Sequence, residues 1–341
     1  MAARVQQSPR VPDFVQDPYP FYARLHALGG VAIWEEYGHP CVASHAGVSA
    51  LLRDKRFGRE VLHVASRDSL GWPEPDPRLA PWLEVEAHSM LEREPPAHTR
   101  LRGLVNRAFV SRAIERLQPS ITALCHHLID AFPASGPFDL LAAYAEPIPV
   151  VVIAELLGVP TERAPDLLAW SHAMVAMYQF DRTRAVEDAA VAATEAFVAF
   201  LGEIVEERRR APKDDLLSAL LAAEAAGDRL TRAELISTAI LLLNAGHEAT
   251  VHAIGNGVAG LFSGGLDPAA VFRDADTTRG TVDELLRHDT PLHMFTRHAL
   301  EPLEIAGVRL AVGDRVGLLL GAANRDPRRF ALPDRLDPDR A

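Results

Sequence analysis

The stretch that most constrains this chain runs from Thr231 to Phe262. It opens on TRAE, residues 231–234, a capping box: the threonine hydroxyl accepts from the third helical N–H, and the glutamate reaches back to the threonine N–H. Such a cap contributes about 1 kcal/mol. From Leu235 to Leu243 nearly every residue is apolar, and length and flanks make this a buried helix rather than a strand. Ser263-Gly264-Gly265 ends it. About 32 residues at roughly 1.5 Å each form a rod of about 48 Å, enough to cross a domain. Mid-rod lies AGHEAT, residues 245–250. A glycine there costs roughly 1 kcal/mol against alanine, and an unpaired carboxylate costs more. Three readings compete. Gly246 can admit a second helix while Glu248 is paired, and nothing binds. A zinc site at His247 and His252 fails on spacing, since i,i+5 sets them about 140° apart, whereas the zinc helix uses i,i+4. A flat cofactor can lie where the side chains are small.

The remaining sequence narrows the class. A chain of 341 residues can bury a large core. A net charge of −11 argues against nucleic acid or an anionic membrane as partner. Two cysteines, Cys41 and Cys125, give neither a disulfide framework nor metal-ligand spacing, which points to a reducing, cytoplasmic setting. No apolar run reaches membrane-spanning length and the first residues carry no signal-type apolar core, so no membrane association is expected.

In order along the chain, the patterns predict a helix at 22–28, a hairpin of strands 31–34 and 40–43, and a helix at 47–53. An irregular segment at 57–86 follows, then helices within 88–109, 111–131, 147–157, 161–179, 184–209 and 214–224. After the central helix come a helix at 281–288 and strands at 294–299, 303–305, 308–310 and 315–320. The body is mainly α with small β-sheets. His98 and Arg102, four apart, share a helix face, where two cations repel unless an anion lies between them. Glu284 and Arg287, three apart, can pair within their helix.

Taken together, these segments resemble a bacterial-type cytochrome P-450, a haem-thiolate monooxygenase. DPYPFYARLHALGGVAIW (17–34) and LLRDKRFGRE (51–60) resemble the family's opening elements, and EREPPAHTRLRGLVNRAF (92–109) resembles its D-P-P-x-H-T-R-L-R helix. AGHEAT resembles the oxygen-binding part of the long helix, ELLR (284–287) the E-x-x-R motif, and PDRL (333–336) the P-E-R-F motif. The resemblance implies a single cytochrome P-450-like domain over 1–341, with haem b as cofactor. His98, Arg102 and Arg297 (in FTRHA) would hold haem propionates, and Ala245 and Gly246 would form the flat wall. Glu248 would relay protons, and Glu284, Arg287 and Arg335 would form a structural triad.

It further implies a monooxygenase inserting one atom of O2 into a small or medium apolar substrate. The substrate would enter near 57–86 and the 161–210 helices, with electrons coming from a separate ferredoxin- or flavodoxin-type donor. Two departures stand out. The family's acid is followed directly by threonine, whereas Glu248 is followed by Ala249, and Thr250 lies a further 100° or so around the helix. The family's iron is held by a cysteine in a glycine-rich loop after P-E-R-F, and such a thiolate favours O–O cleavage. This sequence stops at Ala341 before such a loop. The expectation is therefore a C-terminally truncated member lacking its axial ligand. The rival expectation is a haem-free, catalytically inactive homologue with a binding role or no independent role.

Overall fold

A computed structural model describes residues 2–109, 117–223 and 228–340. Two compact units emerge, one formed by 1–73 with 252–341 and the other by 74–251.

In the first unit, strand β1 (Ala3–Val5) precedes helix α1 (Tyr19–Ala27), strands β2 (Val31–Trp34) and β3 (His39–Val42), helix α2 (His45–Leu51) and the short strand β4 (Phe57–Gly58). Gly29 and Gly30 both have positive φ, a conformation open to glycine, and they turn the chain from α1 into β2. Ser44 caps α2 by accepting from the Gly47 N–H.

The second unit is helical: α3 (Ala80–Ala87), α4 (Ala97–Ala108), α5 (Gln118–Asp130), α6 (Pro147–Leu157), α7 (Ala164–Val175), α8 (Arg184–Arg210) and α9 (Leu216–Ala222). The long helix α10 spans Arg232–Ser263 without a break, and the boundary between units falls on it after Val251. Its capping box is present: Glu234 N–H donates to Thr231 Oγ1 at 3.2 Å and Thr231 N–H to Glu234 Oε2 at 2.8 Å. The segment expected to be irregular over 57–86 holds α3. Helix 111–131 is described from Gln118, its start lying outside the described residues, as does Glu224 of the expected 214–224 helix.

The apolar run of α10 is covered on several sides. Leu235, Ile236, Ala239, Ile240 and Leu243 pack in one cluster with Val150 and Leu157 of α6, Phe197 and Leu201 of α8, and Leu217 and Leu220 of α9. A buried leucine of this kind contributes roughly 1.5–3 kcal/mol through burial.

Back in the first unit, α11 (Ala275–His288) carries a second capping box, between Asp274 and Thr277. Strands β5 (Met294–Ala299), β6 (Leu303–Ile305), β7 (Val308–Leu310) and β8 (Arg315–Leu319) follow, and then helix α12 (Leu320–Ala323). The main sheet has the order β1-β2-β3-β8-β5-β4, and β6 and β7 form a separate hairpin. Parallel pairing of Cys41 with Gly317 and Val42 with Leu318 ties the two ends of the chain together. Among the described residues no helix is long and apolar enough to cross a membrane.

The ion network on α11 corrects one expectation. Glu284 and Arg287 form a buried bidentate pair, with N–O distances of 2.6 and 2.8 Å. The second arginine on Glu284 is Arg340, whose Nε lies 3.1 Å from both carboxylate oxygens. Arg335 does not complete the triad. Its side chain is exposed, and it enters only through its carbonyl, which accepts from Arg287 at 3.1 Å and Arg340 at 3.0 Å. The turn places Asp337 N–H on Glu284 Oε1 at 2.8 Å, so the next arginine to face the carboxylate is Arg340.

Burial alone would raise the Glu284 pKa; the Arg287, Asp337 and Arg340 donors outweigh it and hold the carboxyl below its ordinary 4.5. Its folded pKa is depressed, so this stabilisation is complete above about pH 4.5 and is lost as pH falls through the lowered value. Arg340→Ala is expected to destabilise the chain by about 2 kcal/mol, and Arg335→Ala by no more than about 0.5 kcal/mol. Urea unfolding followed by circular dichroism at pH 7 compares them; equal losses would contradict this assignment.

Candidate functional site

Helix α4 is amphipathic. Leu101, Leu104, Val105 and Ala108 are buried, at the i, i+3, i+4 and i+7 spacing of a helix packed on one face. His98 and Arg102 lie off that face, His98 half-buried and Arg102 exposed. Among the described residues neither side chain makes a hydrogen bond or ion pair. His98 sits in the first turn of α4, where the helix dipole disfavours a cation and favours an anion, and Arg102 lies mid-helix.

Arg100, between them, points elsewhere and is engaged. It donates to Asp228 Oδ2 at 3.0 Å and to the Glu234 carboxylate. It therefore ties α4 to the capping box of α10, a contact the spacing of charges in the sequence did not disclose.

On α10 the middle stretch is open on one side. Ala245 is exposed and Ala249, four residues on, is half-buried, while Leu243, His247 and Val251 are buried. Two small side chains at i,i+4 leave a shallow, flat strip. Gly246 does not belong to it. A Cβ at 246 would lie 2.6 Å from Ile153 Cδ1 of α6, so this glycine admits a neighbouring helix. That is the close-packing reading of the glycine, and the strip of small side chains consists of Ala245 and Ala249. The Thr250 hydroxyl donates to the Gly246 carbonyl at 2.7 Å, which commits its proton within the helix. Glu248 is half-buried.

In the first unit, Arg297 lies on β5 opposite Val316 of β8. It is half-buried, its Nη1 donates to the Thr296 carbonyl at 3.0 Å, and its guanidinium carbon is 6.0 Å from the Phe295 ring centroid.

The two thiols differ. Cys41 on β3 is 1% exposed, and burial pushes its thiol up to about 12. It packs close to Gly317, where a Cβ would meet its sulfur at 2.7 Å. Cys125 on α5 is half-buried, with the Tyr144 hydroxyl as a hydrogen-bonding neighbour.

With this geometry in hand, known proteins decide the family. The chain is 36% identical over 339 residues to cytochrome P-450 107B1 of Saccharopolyspora erythraea, covering 95% of this chain and 79% of that protein. It is 37% identical over 328 residues to the vitamin D(3) 25-hydroxylase of Pseudonocardia autotrophica, covering 95% of this chain and 77% of that protein. The chain belongs to the cytochrome P-450 family. No family model matches it. Among solved structures, a cytochrome P-450 BioI bound to acyl carrier protein ligated with hexadec-9Z-enoic acid superposes with a TM-score of 0.85 at 33% identity, over 96% of this chain and 83% of that one. The mainly helical architecture with small sheets is thus the cytochrome P-450 fold.

The cytochrome P-450 cofactor is haem, and the residues present fit part of it. Two potential cations with no partner among the described residues suit a haem carboxylate, and the Ala245–Ala249 strip suits a flat face. Neither thiol suits the iron. Cys41 is held protonated inside a sheet, whereas an iron ligand is a thiolate, and Cys125 is a helix-surface residue beside a tyrosine. The disposition of the thiols has a direct test. Ellman's reagent at pH 8 is expected to react with Cys125 in the native chain and with Cys41 only after unfolding. Mass mapping that finds Cys41 labelled in the native chain would overturn its placement.

Proposed function

We propose that residues 1–341 form a single monooxygenase domain. It inserts one oxygen atom from O2 into a small or medium apolar organic substrate and takes electrons from a separate ferredoxin- or flavodoxin-type donor. The observation that carries this reading is the pair His98 and Arg102, two potential cations on one helix face that make no hydrogen bond or ion pair among the described residues, in a chain of this family. Bound haem would supply the activation of oxygen. The residues of the chain would do the rest. His98 and Arg102 hold a propionate by charge-assisted hydrogen bonds, and Arg297 serves the same class of group. Ala245 and Ala249 leave the flat face clear. Glu248 moves protons from solvent. Thr250, whose proton is held by the Gly246 carbonyl, accepts a hydrogen bond rather than donating one.

A second reading is favoured by a specific observation, the burial of Cys41 and the helix-surface position of Cys125. In that reading the 341-residue chain binds haem weakly or not at all and is catalytically silent.

Titration with hemin, followed by the Soret band, separates the two. Saturable binding is expected, weakened about tenfold by Arg102→Ala, the effect of losing one hydrogen bond to a charged group. Arg107→Ala, on the same helix, is expected to leave it unchanged. Equal effects of the two substitutions would remove the propionate role, and absence of saturation would favour the silent reading. After reduction under carbon monoxide, a thiolate-type Soret shift would show that the thiols were misassigned.

A further inference from the structure

The first two turns of α10 meet α3 and α8 in the second unit without closing against them. A cavity of about 420 Å³ remains, inside the roughly 300–1,000 Å³ range of small-molecule sites. Its walls are apolar: Val85 of α3, Val198 of α8 and Ile236 of α10 line it. Such walls hold water poorly. Two carboxylates, Glu84 of α3 and Glu195 of α8, also line it, and both are exposed.

Neither carboxylate has an arginine or lysine partner among the described residues. Glu84 has only His88, 3.6 Å away. Arg232 touches the same cavity, but its guanidinium lies over Gly202 and 3.7 Å from Glu206, two to three turns further along α8 than Glu195. The rim formed by α3 and α8 therefore carries two carboxylates that no arginine or lysine meets among the described residues, over an apolar interior, with His88 beside Glu84.

We infer that this cavity is a binding site for an organic cation, with the apolar body against Val85, Val198 and Ile236 and a protonated amine between Glu84 and Glu195. The site lies among the elements, 57–86 and the 161–210 helices, where the sequence places substrate entry, and in that respect it rests on the proposed function; along α10 it is displaced from the Ala245–Ala249 strip. Ile236 precedes Ala245 by nine residues, roughly 14 Å along the helix axis, so an occupant stands beside α10 rather than on the Ala245–Ala249 strip. The inference does not depend on haem binding, and the chain alone suffices to test it.

The test is isothermal titration calorimetry of the full chain with three probes of one shape: 4-phenylbutylammonium, 4-phenylbutan-1-ol and 4-phenylbutyrate. The ammonium is expected to bind one to one, about five- to tenfold more tightly than the alcohol, the size of effect that exposed charges supply. The carboxylate is expected to bind more weakly than the alcohol. Glu84→Gln with Glu195→Gln is expected to remove the preference for the ammonium and leave the alcohol unaffected. Ala233→Phe, which fills the cavity from an exposed position on α10, is expected to abolish binding of all three. Equal binding of ammonium and alcohol, a preference that survives the double substitution, no saturation by the ammonium, or undiminished binding to Ala233→Phe would each overturn the inference.

Discussion

A helix that is apolar on nearly every side cannot stand at a surface, and the run Leu235–Leu243 sets that requirement for the second unit. Burying it takes neighbours all round, and α6, α8 and α9 supply them in one continuous cluster. Truncating one of these leucines would remove burial and leave a cavity, at about 2–5 kcal/mol. The same requirement explains why this helix is fastened at its start. Its capping box satisfies backbone donors that have no partner within the helix, and Arg100 adds charge to that cap from α4. Beyond Leu243 the apolar cover gives way, and exposed Ala245 appears two residues later. The unit thus has one helix that is core at one stretch and open at the next.

Much of this was legible in the residues. Strands 294–299, 303–305 and 308–310 and helix 147–157 appear at the expected bounds. Their signals are local: alternation, a turn with glycine, a proline at the first helical position. The capping box at Thr231 was read from four residues and is formed by the same four. Helix α3 escaped because it is only eight residues long, carries Pro81 and follows a proline-rich approach, so neither length nor period marked it. The start of α11 at Ala275 escaped because its box pairs Asp274 with threonine rather than glutamate or glutamine.

The buried ion network was legible in kind and less so in partner. The choice between Arg335 and Arg340 shows why. Both follow an aspartate in near-repeated PDR triplets, and motif matching takes the first. What decides is the turn that delivers Asp337 N–H to Glu284, a three-dimensional fact with no separate mark in the sequence. Gly246 is similar. A glycine in a helix signals close approach, but only packing shows that what approaches is Ile153 of α6.

Pairing is the criterion that sorts the charges of this protein into structure and chemistry. Arg287, Arg340 and Arg100 are each met by carboxylates, and each fastens an element: the first two hold Glu284, the third the cap of α10. Burial of such groups is tolerable only because every donor faces an acceptor. His98 and Arg102 break the pattern on the same helix as Arg100. They sit one helical turn apart, His98 in the first turn of α4 and Arg102 near its middle, and among the described residues neither side chain makes a hydrogen bond or ion pair. Stability alone gives no reason to place two potential cations there, since like charges at i,i+4 cost a few tenths of a kcal/mol. An anion that is not part of the polypeptide would offset that repulsion by pairing with both side chains. The proposed ligand contact of this helix therefore rests on the charges that the described residues leave unpaired, rather than on the paired ones.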